Sequence, residues 1–166
     1  LLLQYGFIEP IDSPQTSPLV CIMKGKTVAD GVRLAFDFRW VNQFTEDTAY
    51  PIGDITDLIH KVGQARFISL FDAKSGYWQT PIRKDQRYLT SFVCEEGQFA
   101  WNRTPFGLKN AGYTYVKALK QILEPIKRCT ASYIEEVAVY TNTWATHMKM
   151  LDKFLQVIRQ SGITVN

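Results

Sequence analysis

Apolar positions along the chain recur with two different periods. Between residues 55 and 62, Ile55, Leu58, Ile59 and Val62 fall on one face of a helix. Asp54 stands where a cap is expected and Gly63 where the helix stops. From about Lys109 to Leu123, apolar residues at 115, 116, 119, 122 and 123 trace a second helical stripe, which Pro125 ends. A third helix is predicted from about Thr143 to Gln160, with Trp144, Met148, Leu151, Leu155 and Ile158 as its core stripe and Gly162 closing it. On that helix His147 is expected at the surface or half-buried.

Elsewhere the apolar residues are consecutive or alternate. "SPLVCIMK" and "VRLAFDFRWVN" read as two strands of a hairpin separated by "GKTVADG", whose glycines and Asp30 mark a turn. "ARFISLFD" reads as a buried strand that ends on Asp72, before the breakers Ser75 and Gly76. "LTSFVCEEGQFAWNR" is a second hairpin with Glu95, Glu96 and Gly97 at its turn, and "ASYIEEVAVYT" a third. The opening "EPIDSPQTSPLV" carries three prolines within nine residues and is expected to be extended, ordered only by what it packs on. Mixed helices and hairpins without βαβ alternation predict an α+β fold, in which an antiparallel sheet packs on helices.

Composition narrows the field. A chain of 166 residues with 46% hydrophobic content can bury a sizeable core, as one domain or two small subdomains. The net charge of +3 is compatible with a phosphate-rich partner but does not argue for one. Cys21, Cys94 and Cys129 are odd in number and lack CxxC spacing, so neither a disulfide framework nor a zinc site is indicated. No apolar run approaches the roughly 18 residues of a membrane span, and a soluble intracellular domain is expected.

The third hairpin poses a chemical question, because Glu135 and Glu136 interrupt an apolar pattern. Strand alternation would put Tyr133 and Glu135 on one face and Ile134 and Glu136 on the other, so a flat strand could not bury both acids; a tight turn is expected. Adjacent glutamates at a turn can simply be solvated, as Glu95 and Glu96 are expected to be. Acids at the end of one strand and the tip of a neighbouring hairpin can also converge on hard divalent cations.

The motifs "FDAKSGYWQTPI", "RTPFGLKNA", "YIEEVAVYTNTWATHM" and "SGITVN", in this order, resemble the reverse transcriptases of gypsy-type LTR retrotransposons, relatives of the retroviral enzymes. Upstream, "FIEPIDSPQTSPLV", "RLAFDFRWVNQFT" and "YPIGDITDLI" are similar to the fingers part of the same family. The resemblance implies a right-hand polymerase fold. Fingers would comprise approximately 1–65 and 80–103 and palm approximately 66–79 and 104–166, with thumb, connection and RNase H regions absent. It implies an RNA-directed DNA polymerase that binds an RNA or DNA template with primer and deoxynucleoside triphosphates, without a membrane. Such a protein would be cytoplasmic or nuclear, within retroelement particles.

Residue by residue, the resemblance makes Asp72 the first metal-binding aspartate, with the Ala73 carbonyl, Glu135 and Glu136 completing the ligands of two Mg²⁺ ions, or of Mn²⁺. Two such ions would clamp an in-line phosphoryl transfer. Tyr77 matches the aromatic steric gate that excludes the ribose 2′-hydroxyl. Arg33 and Lys24 match the residues that hold the incoming triphosphate, and Phe106 and Gly107 match the turn lining the nucleotide site. Without the resemblance, these would read as core packing, surface cations and an ordinary hydrophobic turn.

Two departures are visible. The family pattern Tyr-x-Asp-Asp is here Tyr133, Ile134, Glu135, Glu136, each carboxylate extended by roughly 1.5 Å. Mg²⁺ demands near-ideal geometry, so activity is expected to be impaired or lost. The family run "NAPATFQ" is here "NAGYTYV", with Gly112, Tyr115 and Val116 in place of Pro, Phe and Gln. A retroelement-derived scaffold that binds nucleic acid or protein without turnover is the alternative expectation.

Overall fold

Two units, each with its own apolar centre, are assembled from interleaved stretches of chain in a computed structural model that describes residues 1–27, 31–50 and 53–166. One comprises Leu1–Asp47 with Thr80–Ala111, the other Thr48–Gln79 with Gly112–Asn166. Asp30 of the first predicted turn and the "PI" of "YPIGD" lie outside the described residues.

In the first unit, strands β1 (Ile8–Pro10), β5 (Phe92–Cys94) and β6 (Gly97–Trp101) form an antiparallel sheet in the order β1-β6-β5. β2 (Leu19–Met23) and β3 (Val32–Phe36) form a separate hairpin. The predicted second strand of that hairpin is shorter than its apolar run, because Arg39–Gln43 fold as a short helix, α1, after the turn at Asp37 and Phe38. Phe36 meets Phe92 at 4.7 Å and Trp101 at 5.2 Å, both edge-on, with Phe38 and Trp101 fully buried. Such pairs add about 0.5–1.5 kcal/mol each beyond the area they bury. The proline-rich opening is pinned as expected: Gln98 donates to the Ser13 and Gln15 carbonyls at 2.8 and 3.2 Å and accepts from the Ser13 N–H at 3.1 Å.

In the second unit, β4 (Phe67–Asp72), β7 (Thr130–Tyr133) and β8 (Glu136–Thr141) form an antiparallel sheet in the order β4-β8-β7. Helices α2 (Ile55–Gly63), α3 (Ala111–Leu123) and α4 (Trp144–Ser161) accompany it. The Asp54 carboxylate caps α2 by accepting from the Thr56 N–H at 2.7 Å, and Gly162 ends α4 at φ 75°. Tyr115, Leu119 and Leu123 of α3 pack with Val137 and Val139 of β8 and Phe154 and Ile158 of α4.

Three burial expectations are corrected. β4 is not buried on both faces: Phe67, Ser69 and Phe71 face the helices, while Ile68 is 45% and Leu70 71% exposed. An antiparallel sheet covers one face only, so a continuous apolar run does not guarantee two-sided burial. The buried face of α4 is His147, Phe154 and Ile158 with Leu151 beside them, whereas Trp144, Met148 and Leu155 are about half exposed. His147 hid this register, because it is 3% exposed and not at the surface. Its two ring nitrogens are met by the hydroxyls of Ser69 at 2.9 Å and Thr141 at 3.1 Å, which makes burial of the imidazole tolerable.

Candidate active site

The β7–β8 hairpin is closed by Ile134 and Glu135, so that Tyr133 and Glu136 pair directly. Of the two turn residues only Ile134 has positive φ, at 52°. Positive φ at the first central position alone is the pattern of a II′ turn, which prefers glycine there. For a β-branched residue the conformation is strained, by about 1–3 kcal/mol.

Across the sheet, Asp72 stands opposite Glu136. Asp72, Glu136 and Tyr133 therefore form one row on a single face, with both carboxylates exposed. The tight turn expected here is what forms, and Tyr133 is grouped with Glu136, not with Glu135 as a flat strand would have it. Chain reversal consumes Ile134 and Glu135 and restarts the pleat at Glu136.

Glu135 takes a different course from Glu136. Its carbonyl accepts from the Ala73 N–H at 2.9 Å, carrying the β4–β8 pairing into the turn. Its side chain runs inward, where Oε1 is buried and has no hydrogen-bond partner among the described residues. Gly76 makes the room. A Cβ there would lie 2.8 Å from Glu135 Oε1 and 2.9 Å from Tyr115 Cζ. Tyr115 is 1% exposed, and its hydroxyl is likewise buried without a partner among the described residues. Burial first, then the nearby charges of Glu135 and Asp72 and the neighbouring Tyr77, push the Tyr115 phenol up to about 12. Tyr77, in the 3₁₀ turn Gly76–Gln79, is also raised, mainly by burial and secondarily by Glu135. Its ring meets Tyr115 edge-on at 5.9 Å. The Tyr77 hydroxyl lies against Gly112, where a Cβ would come within 3.3 Å.

A strap of residues 163–166 holds Asp72 from another side. Asn166 donates its N–H to the Asp72 carbonyl at 2.8 Å and its side-chain amide to Asp72 Oδ2 at 3.1 Å. The strap is fixed by Gln79, which donates to the Lys74 and Thr164 carbonyls at 2.8 and 2.9 Å and accepts from the Thr164 N–H at 2.7 Å. Nothing in the linear order announces this clamp, since Gln79 and Thr164 meet only through the fold.

The two Mg²⁺ ions implied by the resemblance do not fit the carboxylates as they are arranged. Asp72 and Glu136 face each other, but the half-buried Glu135 turns one carboxylate oxygen inward beside Gly76, and among the described residues no three His, Cys, Asp or Glu side chains lie close enough to hold one ion. The longer glutamate side chain reaches the space beside Gly76 and Tyr115.

The remaining candidates belong to the first unit. Lys24 and Arg33 are exposed on the β2–β3 hairpin, with the Lys24 N–H donating to the Gly31 carbonyl at 3.0 Å. Gly107 turns at φ 99°, and Phe106 beside it is 40% exposed. Sequence reasoning missed Asn42, which shapes this loop by donating to the Gly107 carbonyl and accepting from the Lys109 N–H, both at 2.8 Å. Asp72, Ala73, Tyr77, Glu135 and Glu136 thus fall within the second unit, and Lys24, Arg33, Phe106 and Gly107 within the first.

Comparison with known proteins supplies the lineage. Residues 22–166 match the family model described as reverse transcriptase (RNA-dependent DNA polymerase). The chain is 31% identical over 166 residues to a genome polyprotein of Petunia vein clearing virus, covering 99% of the chain and 8% of the polyprotein. It is 32% identical over 169 residues to the retrovirus-related Pol polyprotein from transposon gypsy of Drosophila melanogaster, covering 99% of the chain and 16% of the polyprotein. It thus spans only a small part of these relatives' length. A foamy viral protease-reverse transcriptase solved in complex with double-stranded DNA has the same fold, with a TM-score of 0.88 at 24% identity over 99% of this chain and 28% of that one. The α+β architecture of hairpins on helices is that of reverse transcriptase fingers and palm, and the chain belongs to the reverse transcriptase (RNA-dependent DNA polymerase) family.

Proposed function

We propose that the chain is the fingers-and-palm portion of an RNA-directed DNA polymerase whose nucleotidyl transfer is impaired at Glu135 and Glu136. In this reading fingers comprise approximately 1–65 and 80–103 and palm approximately 66–79 and 104–166, so that most of the fingers falls in the first unit and most of the palm in the second. The observation that carries it is the position of Glu135, one carboxylate oxygen of which is buried beside Gly76 and Tyr115 in a hairpin otherwise intact. The partners are an RNA or DNA template with primer and deoxynucleoside triphosphates. Lys24 and Arg33 contact the triphosphate, and a guanidinium suits that role because its planar donors match phosphate oxygens. Phe106 and Gly107 line the nucleotide site. Tyr77 is the gate that opposes a ribose 2′-hydroxyl, its ring backed by Tyr115 and its hydroxyl by Gly112.

The second reading is a scaffold that binds nucleic acid without turnover, and the same inward-turned oxygen favours it. Binding of a primer-template duplex, followed by fluorescence anisotropy across a salt series, tests what the two readings share. Affinity is expected to fall steeply as salt rises, since phosphate contacts release counterions. Binding indifferent to ionic strength, or none at all, counts against both.

A further inference from the structure

Among the buried polar atoms of the second unit that lack a partner among the described residues, two are neighbours. Glu135 Oε1 and Tyr115 Cζ, the carbon that bears the hydroxyl, both lie within 3 Å of the position a Cβ on Gly76 would take. Buried polar groups are rarely left unpaired, because each orphan carries its full desolvation penalty. One is an acceptor and the other a donor. The phenol is pushed up to about 12, first by burial and then by Glu135, so it keeps its proton at neutral pH.

We propose that Tyr115 is a positioning residue for Glu135: its hydroxyl donates to the Glu135 carboxylate, directly after a small side-chain rotation or through one bridging water, and so holds that carboxylate away from Asp72 and Glu136. Three sequence features then become one device. Gly76 leaves the space, the glutamate is long enough to cross it, and the tyrosine, standing where the family has phenylalanine, supplies the donor. An aspartate at 135 would be one methylene short of the tyrosine.

The pair can be read without any polymerase activity, so failure of the functional reading above leaves this test intact. Tyr115→Phe is made in the unchanged chain, in Glu135→Gln and in Glu135→Asp, and thermal unfolding is followed for each. The expected result is a melting temperature lowered by a few degrees in the unchanged chain and in the Gln form, which can still accept, with no loss or a gain in the Asp form. Equal shifts in all three backgrounds overturn the pair. The second readout is Mn²⁺ affinity, measured with the metal alone. Tyr115→Phe frees Glu135 to turn outward, and affinity is expected to rise about tenfold, the scale on which groups that orient metal ligands act. Unchanged affinity overturns the positioning role.

Discussion

Asp72 and Glu136 stand directly opposite one another across β4 and β8, both exposed. Like charges in this position repel. Glu136→Gln is therefore expected to raise stability slightly, and the gain should fade as salt screens the pair. Urea unfolding at low and high ionic strength checks this; a gain independent of salt would point to some other cause.

Gly76 is required by the space around it, not by its own φ. Gly76→Ala brings a methyl against Glu135 Oε1 and the Tyr115 ring and is expected to destabilise by about 1–3 kcal/mol, the range for overpacking. Chemical denaturation measures the loss. A neutral substitution would mean that Glu135 swings out at no cost.

Ile134 stores strain at φ 52°. Ile134→Gly is expected to leave stability unchanged or raise it by up to about 1 kcal/mol, because relief of the left-handed conformation offsets the lost side chain. A thermal melt showing clear destabilisation would mean that isoleucine packing outweighs the strain.

These positions show how much was legible beforehand. Asp72 at a strand end, the hairpin around Glu135, and the caps at Asp54 and Gly162 follow from local rules, and local rules are visible in one sequence. The α4 register was not, because His147 looks polar until Ser69 and Thr141, from two different strands, are brought to its ring. The inward course of Glu135 was hidden for the same reason. Alternation predicts faces along a strand, but the turn resets it, and the space beside Gly76 exists only once α3 is packed. The Gln79 clamp on Thr164 likewise spans 85 positions of sequence.

His147 is consequently a stability determinant. His147→Ala leaves a cavity and takes a partner from the half-buried Ser69 hydroxyl and the buried Thr141 hydroxyl, and a loss of about 2–4 kcal/mol is expected. Equilibrium unfolding gives the value, and a loss below about 1 kcal/mol would contradict this assignment.

Tyr115 also makes a pH prediction. A phenol raised to about 12 in the folded chain and near its ordinary value of 10.0 when unfolded keeps its proton longer in the folded state. The folded form then binds more protons between those values, so stability is intact below about pH 10 and falls as pH rises toward 12. Tyr77, raised in the same direction, adds to the slope. Tyr115→Phe should flatten the alkaline arm of the stability profile, and an unchanged slope would remove Tyr115 as its source.

If the two glutamates disable the polymerase site while the fold around it is kept, restoring the aspartates should restore turnover. Primer extension on an RNA template, with Mg²⁺ and then Mn²⁺, compares the chain with its Glu135→Asp, Glu136→Asp form, each carried in a polypeptide that supplies a thumb. The expected result is little or no extension by the unchanged chain and clear extension by the aspartate form. Equal extension by both would contradict it, because the glutamates would then be working metal ligands.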